Sequence, residues 1–162
     1  TTRDKVNKLT FEIKNLKVVH QENSGLGACR NTGLKHSEGQ YVWFIDGDDY
    51  LEENILQDVV NEIEKNKLDS LVLDYATVDQ QYDIIGAYLN KVVGVKNVVS
   101  GSEFYKNNYT NSYTWLFVFN RKLFLNYEVE FKENINMQDS EILPKLLINT
   151  QRLALLNKVC YY

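Results

Sequence analysis

The spacing of apolar residues changes along this chain, and each change predicts an element. Leu51, Ile55, Val59, Val60 and Ile63 recur at helical intervals, with Glu52, Glu53, Asp58, Glu62 and Glu64 on the other faces. That pattern predicts an amphipathic helix lying on a sheet, with first-turn acids suited to the positive end of its dipole. "YVWFID", Tyr41–Asp46, is continuously apolar until its last residue and reads as a buried central strand. "LKVVH", Leu16–His20, reads as a short strand ahead of it. Between the two, Asn23 or Ser24 can cap a helix that runs from the glycines to about Lys35, with Gly39 beyond its end. Strand, helix and strand in about thirty residues make a βαβ unit.

"SLVLDY", Ser70–Tyr75, predicts a further strand, so the front half alternates β and α. Asp79–Lys96 has no clear period and reads as loop or hairpin. "SGSE", Ser100–Glu103, matches a capping box before a short helix. "YTWLFVFNR" reads as a strand, Ser140–Asn149 as a helix in which Pro144 is awkward beyond the first turn, and "LALLNKVCYY" as a final strand. No repeat or linker divides the 162 residues, a length suited to one domain with its own core.

Composition narrows the function. The net charge of −4 leaves no electrostatic footprint for nucleic acid. Cys29 and Cys160 lie far apart without CxxC spacing, which points to a reduced, cytosolic setting. No apolar run is long enough to cross a bilayer, and no signal peptide is evident.

The densest acidic cluster is "FIDGDDY", where Asp46, Asp48 and Asp49 crowd the end of the predicted strand. Two readings stand. One is a solvated turn that caps the next helix. The other is a site at the carboxyl end of a strand, where α/β sheets bind ligands, with Asp46 and Asp48 offering hard oxygens to Mg²⁺ or Mn²⁺. The loop is no EF-hand: its sixth position is Leu51 and its twelfth Gln57. "GLG" fails the dinucleotide fingerprint because Arg30 stands where the third glycine belongs. What is left is a helix start with Arg30 one turn in: a place for an anion, or a tight entry with a surface arginine. Asp139, in "NMQDSEILPKLL", is either a helix N-cap or a general base. His20 and His36 join no cluster of Cys or acids and read as structural or surface residues.

Together these stretches resemble family 2 glycosyltransferases of the GT-A fold. The family's "N-x-G-x-x-x-A-R-N-x-G" element corresponds to Asn23, Gly25, Arg30, Asn31 and Gly33. Its "G-x-Y-[hydrophobic]₃-D-x-D-D" corresponds to Gly39, Tyr41, Asp46, Asp48 and Asp49. "SGSEFY", "WLFVFNRKLF", the Phe131 region and "QDSEILPKLL" continue the resemblance more weakly.

The resemblance implies an α/β fold: a Rossmann-related, mostly parallel sheet flanked by helices. A single domain over 1–162 would have a donor-side half at about 1–78 and an acceptor-side half at about 79–162. It implies an inverting, metal-assisted transfer, with Mn²⁺ or Mg²⁺, from a nucleotide-sugar donor, a UDP-sugar first among them, to a glycan or lipid-linked acceptor. Asp46 would contact the ribose or diphosphate and help hold the metal, Asp48 would bind the metal, and Asp49 would support or cap. Arg30 would approach the nucleotide, and Asp139 would be the base. Here the usual Glu-Asp pair is Gln138-Asp139, so a partner of the base is changed.

The family's opening strands, "V-S-V-I-I-P-x-Y-N" and a later "V-D-D-G-S", have no counterpart before Leu16. The reading is therefore of a domain without its N-terminal strands, open to homodimer contact. The longer protein would be cytoplasmic and peripheral to the membrane. The competing reading is a non-catalytic binding or oligomerisation module of the same origin. A nucleotidyltransferase would need a glycine-rich basic loop, and none is visible. The lack of Q-x-x-R-W argues against a processive synthase.

Overall fold

The computed structural model describes residues 2–90, 98–108 and 112–162. Six strands form one sheet: β1 (Tyr41–Trp43), β2 (Ser70–Val78), β3 (Ile84–Tyr88), β4 (Val98–Val99), β5 (Phe117–Asn120) and β6 (Leu153–Tyr161). The order is β1-β5-β2-β6-β4, with β3 pairing the far end of β2. The expected α/β sheet with flanking helices is present, but its strand directions are mixed rather than mostly parallel. Among the described strands only β2 and β6 run parallel; β1–β5, β2–β5, β2–β3 and β4–β6 are antiparallel.

Six helices accompany the sheet: α1 (Thr2–Glu12), α2 (Gly25–His36), α3 (Ile55–Asn66), α4 (Gly101–Asn108), α5 (Lys122–Asn126) and α6 (Gln138–Ile148). The period-2 pattern of β2 and β5 sorts side chains between two layers. Leu71, Leu73 and Val118 pack with Ile55, Val59 and Ile63 of α3. Val72, Phe117 and Phe119 pack with Phe104 of α4, Phe124 of α5 and Ile142, Leu143 and Leu146 of α6. This second layer is the larger, and it carries the side of the sheet that α6 needs in order to present Asp139.

Several expectations change. Leu16–His20 forms no strand among the described residues, so the expected βαβ unit is absent there. A strand exists only when a neighbour takes up its N–H and C=O groups. Among the described strands, β1 pairs only with β5. The strand expected over Tyr41–Asp46 is regular only to Trp43, and the one expected over Tyr113–Arg121 begins as a 3₁₀ turn, Thr114–Leu116. Leu51 leaves the helical series and bridges Tyr161. Helix α3 begins at Ile55, which puts Glu52 and Glu53 ahead of it. Pro144 lies inside α6, past the first turn. The burial of Ile142, Leu143, Leu146 and Leu147 around it offsets the missing backbone donor. The stretch from Asp79 makes a β2–β3 hairpin, and its residues 91–96 lie outside the described set. Half of the capping box is made: the Glu103 N–H donates to Ser100 Oγ at 3.2 Å.

Candidate active site

The site is assembled around Arg30. One turn into α2, its side chain is only 5% exposed. The two ends of the guanidinium reach two acids. Nη2 donates to Asp46 Oδ1 at 2.9 Å, and Nη1 donates to Asp139 Oδ1. The guanidinium carbon lies 5.4 Å from the centre of the Phe131 ring, a cation–π distance. Arg30 Nε is buried with no hydrogen-bond partner among the described residues. Of the two readings of Arg30, the surface one is excluded by its burial.

Neighbouring residues fix that junction. Asn31 clamps the backbone of Phe131 from both sides: its Nδ2 donates to the Phe131 carbonyl at 2.9 Å, and its Oδ1 accepts from the Phe131 N–H at 2.8 Å. The pair Arg30-Asn31 therefore ties one helix to a segment a hundred residues away. Gly27 permits the approach. A Cβ there would lie 2.8 Å from the Lys132 carbonyl oxygen and 2.9 Å from Gln138 Oε1. Gly25 has φ +84°, a left-handed conformation that glycine adopts without strain, and its N–H donates to Asn23 Oδ1 at 3.2 Å. Ser24 holds the N-cap position but makes no side-chain capping bond.

Asp139 is not a cap. Helix α6 starts at Gln138 behind Met137, whose φ of 57° turns the chain into the helix. The Asp139 carboxylate turns to Arg30 and to the Thr114 hydroxyl, which donates to Oδ1 at 2.8 Å. Both contacts fall on one oxygen, and Oδ2 accepts no hydrogen bond among the described residues. Gln138, in the place of the usual Glu, is buried.

The acidic turn divides its charges three ways. Asp46 goes to Arg30. Asp49 accepts from the Tyr161 hydroxyl at 2.7 Å, and the same hydroxyl accepts the Asp46 backbone N–H at 3.1 Å. Burial raises the pKa of Asp49, with Tyr161 acting in the opposite sense and Asp48 and Asp46 adding to the rise. Asp48 is exposed and forms no hydrogen bond among the described residues. The turn does not cap α3, whose N-cap is Asn54. Arg30 thus supplies a cation for Asp46 and Tyr161 a neutral donor for Asp49, while Asp48 and Asp46 still act on Asp49 as like charges.

No group of three or more His, Cys, Asp or Glu side chains with metal-site geometry occurs among the described residues. Asp48, which lines an open cleft, and the Asp46 oxygen that Arg30 leaves free are nevertheless hard, anionic donors. They suit a divalent cation that keeps water and phosphate oxygens for most of its shell. His20 bonds Asn7 and His36 bonds the Thr32 carbonyl, the structural roles expected of them.

Thr114, Tyr161 and the Asn31 clamp were not singled out from sequence. Each acts across a long separation that local spacing does not record.

Residues 1–134 match the model of glycosyl transferase family 2. The chain belongs to that family. It is 28% identical over 150 residues to the uncharacterized glycosyltransferase EpsJ of Bacillus subtilis, covering 90% of this chain and 44% of that one. It is 26% identical over 144 residues to the poly(ribitol-phosphate) beta-N-acetylglucosaminyltransferase TarP of Staphylococcus aureus, covering 88% and 42%. The crystal structure of S. aureus TarS residues 1–349 superposes with a TM-score of 0.83 at 24% identity, over 100% of this chain and 47% of that one. TarS in complex with UDP-GlcNAc gives 0.80 at 24% identity over 99% and 45%. These superpositions establish the GT-A-type fold. The chain spans less than half the length of these relatives. Among the described residues no helix is long and apolar enough to cross a membrane.

Proposed function

We propose that this chain carries the catalytic half of a glycosyltransferase that moves a sugar from a nucleotide-diphosphate sugar, a UDP-sugar first, to a hydroxyl of a glycan or lipid-linked acceptor. One observation carries the reading: Arg30 joins Asp46, from the acidic turn, to Asp139, at the start of α6. Residues assigned to opposite sides of one reaction are thereby held at one point. Family membership and the UDP-GlcNAc complex of TarS support the same class of donor. The single domain over 1–162, with donor and acceptor halves meeting near residue 78, is part of this proposal.

In this reading the acceptor hydroxyl loses its proton to Asp139 Oδ2. Its oxygen bonds the anomeric carbon as the bond from that carbon to the phosphate oxygen breaks, so the configuration inverts. Arg30 and Thr114 hold Oδ1 and aim the free oxygen. A divalent cation, Mn²⁺ or Mg²⁺, held by Asp48 and Asp46 would supply Lewis-acid stabilisation of the leaving diphosphate. The two unpaired thiols, Cys29 and Cys160, suit a cytoplasmic setting.

The test has two arms. UDP with Mn²⁺ is expected to raise the melting temperature, and Asp48→Ala to remove the rise. Asp139→Asn is expected to keep UDP binding and to lower transfer by about 10²–10⁴-fold. Undiminished transfer by Asp139→Asn overturns the base assignment. Failure of UDP, GDP and dTDP alike to stabilise the protein favours a non-catalytic binding module.

A further inference from the structure

A cleft of about 710 Å³ opens beside the acidic turn, between that turn, the β2–β3 hairpin and the end of β6. Nearly half of its lining residues are aromatic. Tyr50 stacks on Tyr162 with centroids 4.9 Å apart and planes 13° off parallel. Tyr82 meets Tyr50 edge-on at 5.8 Å. Deeper in, Trp115 stacks on Tyr161 at 4.5 Å, and Tyr75 abuts Trp115 edge-on at 4.9 Å. The outer rings are open to solvent, Tyr82 being 73% exposed and Tyr50 38%, whereas Tyr161 forms the buried floor. They hold one another in place, which leaves little side-chain freedom to lose when a ligand binds.

The charged part of the lining is acidic. Asp48, Asp49 and Asp79 face the cleft, and no Lys or Arg lines it among the described residues. Asp79 is fixed by its own hairpin, since Oδ1 accepts the N–H groups of Gln81 and Asp83 at 2.9 Å each. A cation held by Asp46 and Asp48 would leave the charge of Asp79 standing.

We propose that this cleft is the acceptor subsite and that it takes uncharged sugar rings in preference to a phosphodiester-linked polymer. The proposal rests on the transferase reading for the word acceptor. Its chemistry is independent of that reading. The C–H faces of a pyranose are positively polarised and apolar, and they match the negative faces of fixed aromatic rings. Sugar hydroxyls donate to carboxylates at the rim. A polyanion would meet the charge of Asp79 with no Lys or Arg among the described lining residues to pair it, which disfavours the complex and slows encounter. Trp115, in the wall of the cleft, is the chain neighbour of Thr114, whose hydroxyl bonds the proposed base Asp139.

Calorimetric titration tests this with three probes: a panel of uncharged β-linked hexose and N-acetylhexosamine oligosaccharides, poly(glycerol phosphate), and UDP with Mn²⁺. Wild-type protein is expected to bind an uncharged oligosaccharide and to reject the polyanion. Tyr82→Asn removes the most exposed ring while keeping a residue that tolerates the φ of 66° at that position. It is expected to weaken oligosaccharide binding about five- to tenfold and to leave UDP binding unchanged. Asp79→Asn keeps the hairpin acceptor and deletes the charge, and is expected to admit the polyanion at low salt.

Preference for the polyanion, or no binding by any uncharged oligosaccharide, overturns the subsite. Unchanged rejection by Asp79→Asn overturns the role of charge. Loss of UDP binding with oligosaccharide binding intact would sink the donor reading and leave the glycan cleft standing.

Discussion

The two flanks of the acidic turn handle negative charge in different ways. On one side a buried guanidinium divides itself between Asp46 and Asp139, and the packing is so close that Gly27 has no room for a Cβ. On the other, Asp49 meets only a neutral hydroxyl, that of Tyr161, within an open aromatic cleft. Charge meets charge around the buried guanidinium. Beside the cleft, a part-buried carboxylate is accommodated by a hydrogen bond and a raised pKa. The ionic flank suits a fixed machine part. The aromatic flank suits ligands that come and go.

The sharpest way to break the contrast is to remove the guanidinium. Arg30→Met leaves two part-buried carboxylates facing each other without their shared cation. Side-chain exposures of 29% for Asp46 and 18% for Asp139 make that costly. The expected loss is about 3–5 kcal/mol, read from the urea midpoint. Asp139→Asn in the Arg30→Met background should recover part of it. A cost below about 1 kcal/mol would mean that the pair behaves as a surface ion pair and that Arg30 does not organise the site.

How much of this was legible in the sequence depends on distance along the chain. Helix α3, strands β2 and β6, and the helix carrying Asp139 follow from periodicity, because each is decided by its own apolar face. Arg30, Asp46 and Asp139 stood out by residue type and by family pattern. Their meeting did not, because the Arg30–Asp139 contact spans 109 residues and no local rule reports it. Leu16–His20 failed as a strand for the same reason: pairing is decided by neighbours rather than by apolar content. Thr114 was hidden within a run that read as strand but begins as a 3₁₀ turn. Tyr161 was one aromatic among many, and it is brought to the acids by backbone pairing of distant segments, Tyr50 with Tyr162 at 2.8 and 2.9 Å among them.

A smaller effect is expected on the aromatic flank. Tyr161→Phe keeps the stack on Trp115 but deletes the hydroxyl that serves both Asp49 and the Asp46 N–H. The loss of stability should be about 1 kcal/mol, the net worth of a typical intramolecular hydrogen bond. Apparent affinity for Mn²⁺ in the presence of UDP should weaken as the turn loosens. Unchanged stability together with unchanged metal affinity would mean that the rings alone hold the turn.

The finest discrimination comes from pH. Asp49 has its pKa raised above the ordinary 3.8, chiefly by burial. The folded protein therefore binds this proton more tightly than the unfolded chain does. The contribution to stability is fully present below the unfolded value and is lost as pH rises through the folded one. At neutral pH the buried charge is a liability. Asp49→Asn, which can still accept from Tyr161, should stabilise the metal-free protein at pH 7. The gain should shrink as pH falls toward 3.8 and vanish below it. Urea unfolding in chelator across pH 3.5–7.5 measures this; the range is set around the ordinary carboxylate value. A gain that is flat with pH would show that Asp49 titrates alike in both states, and that the aromatic flank tolerates its charge as readily as Arg30 tolerates that of Asp46.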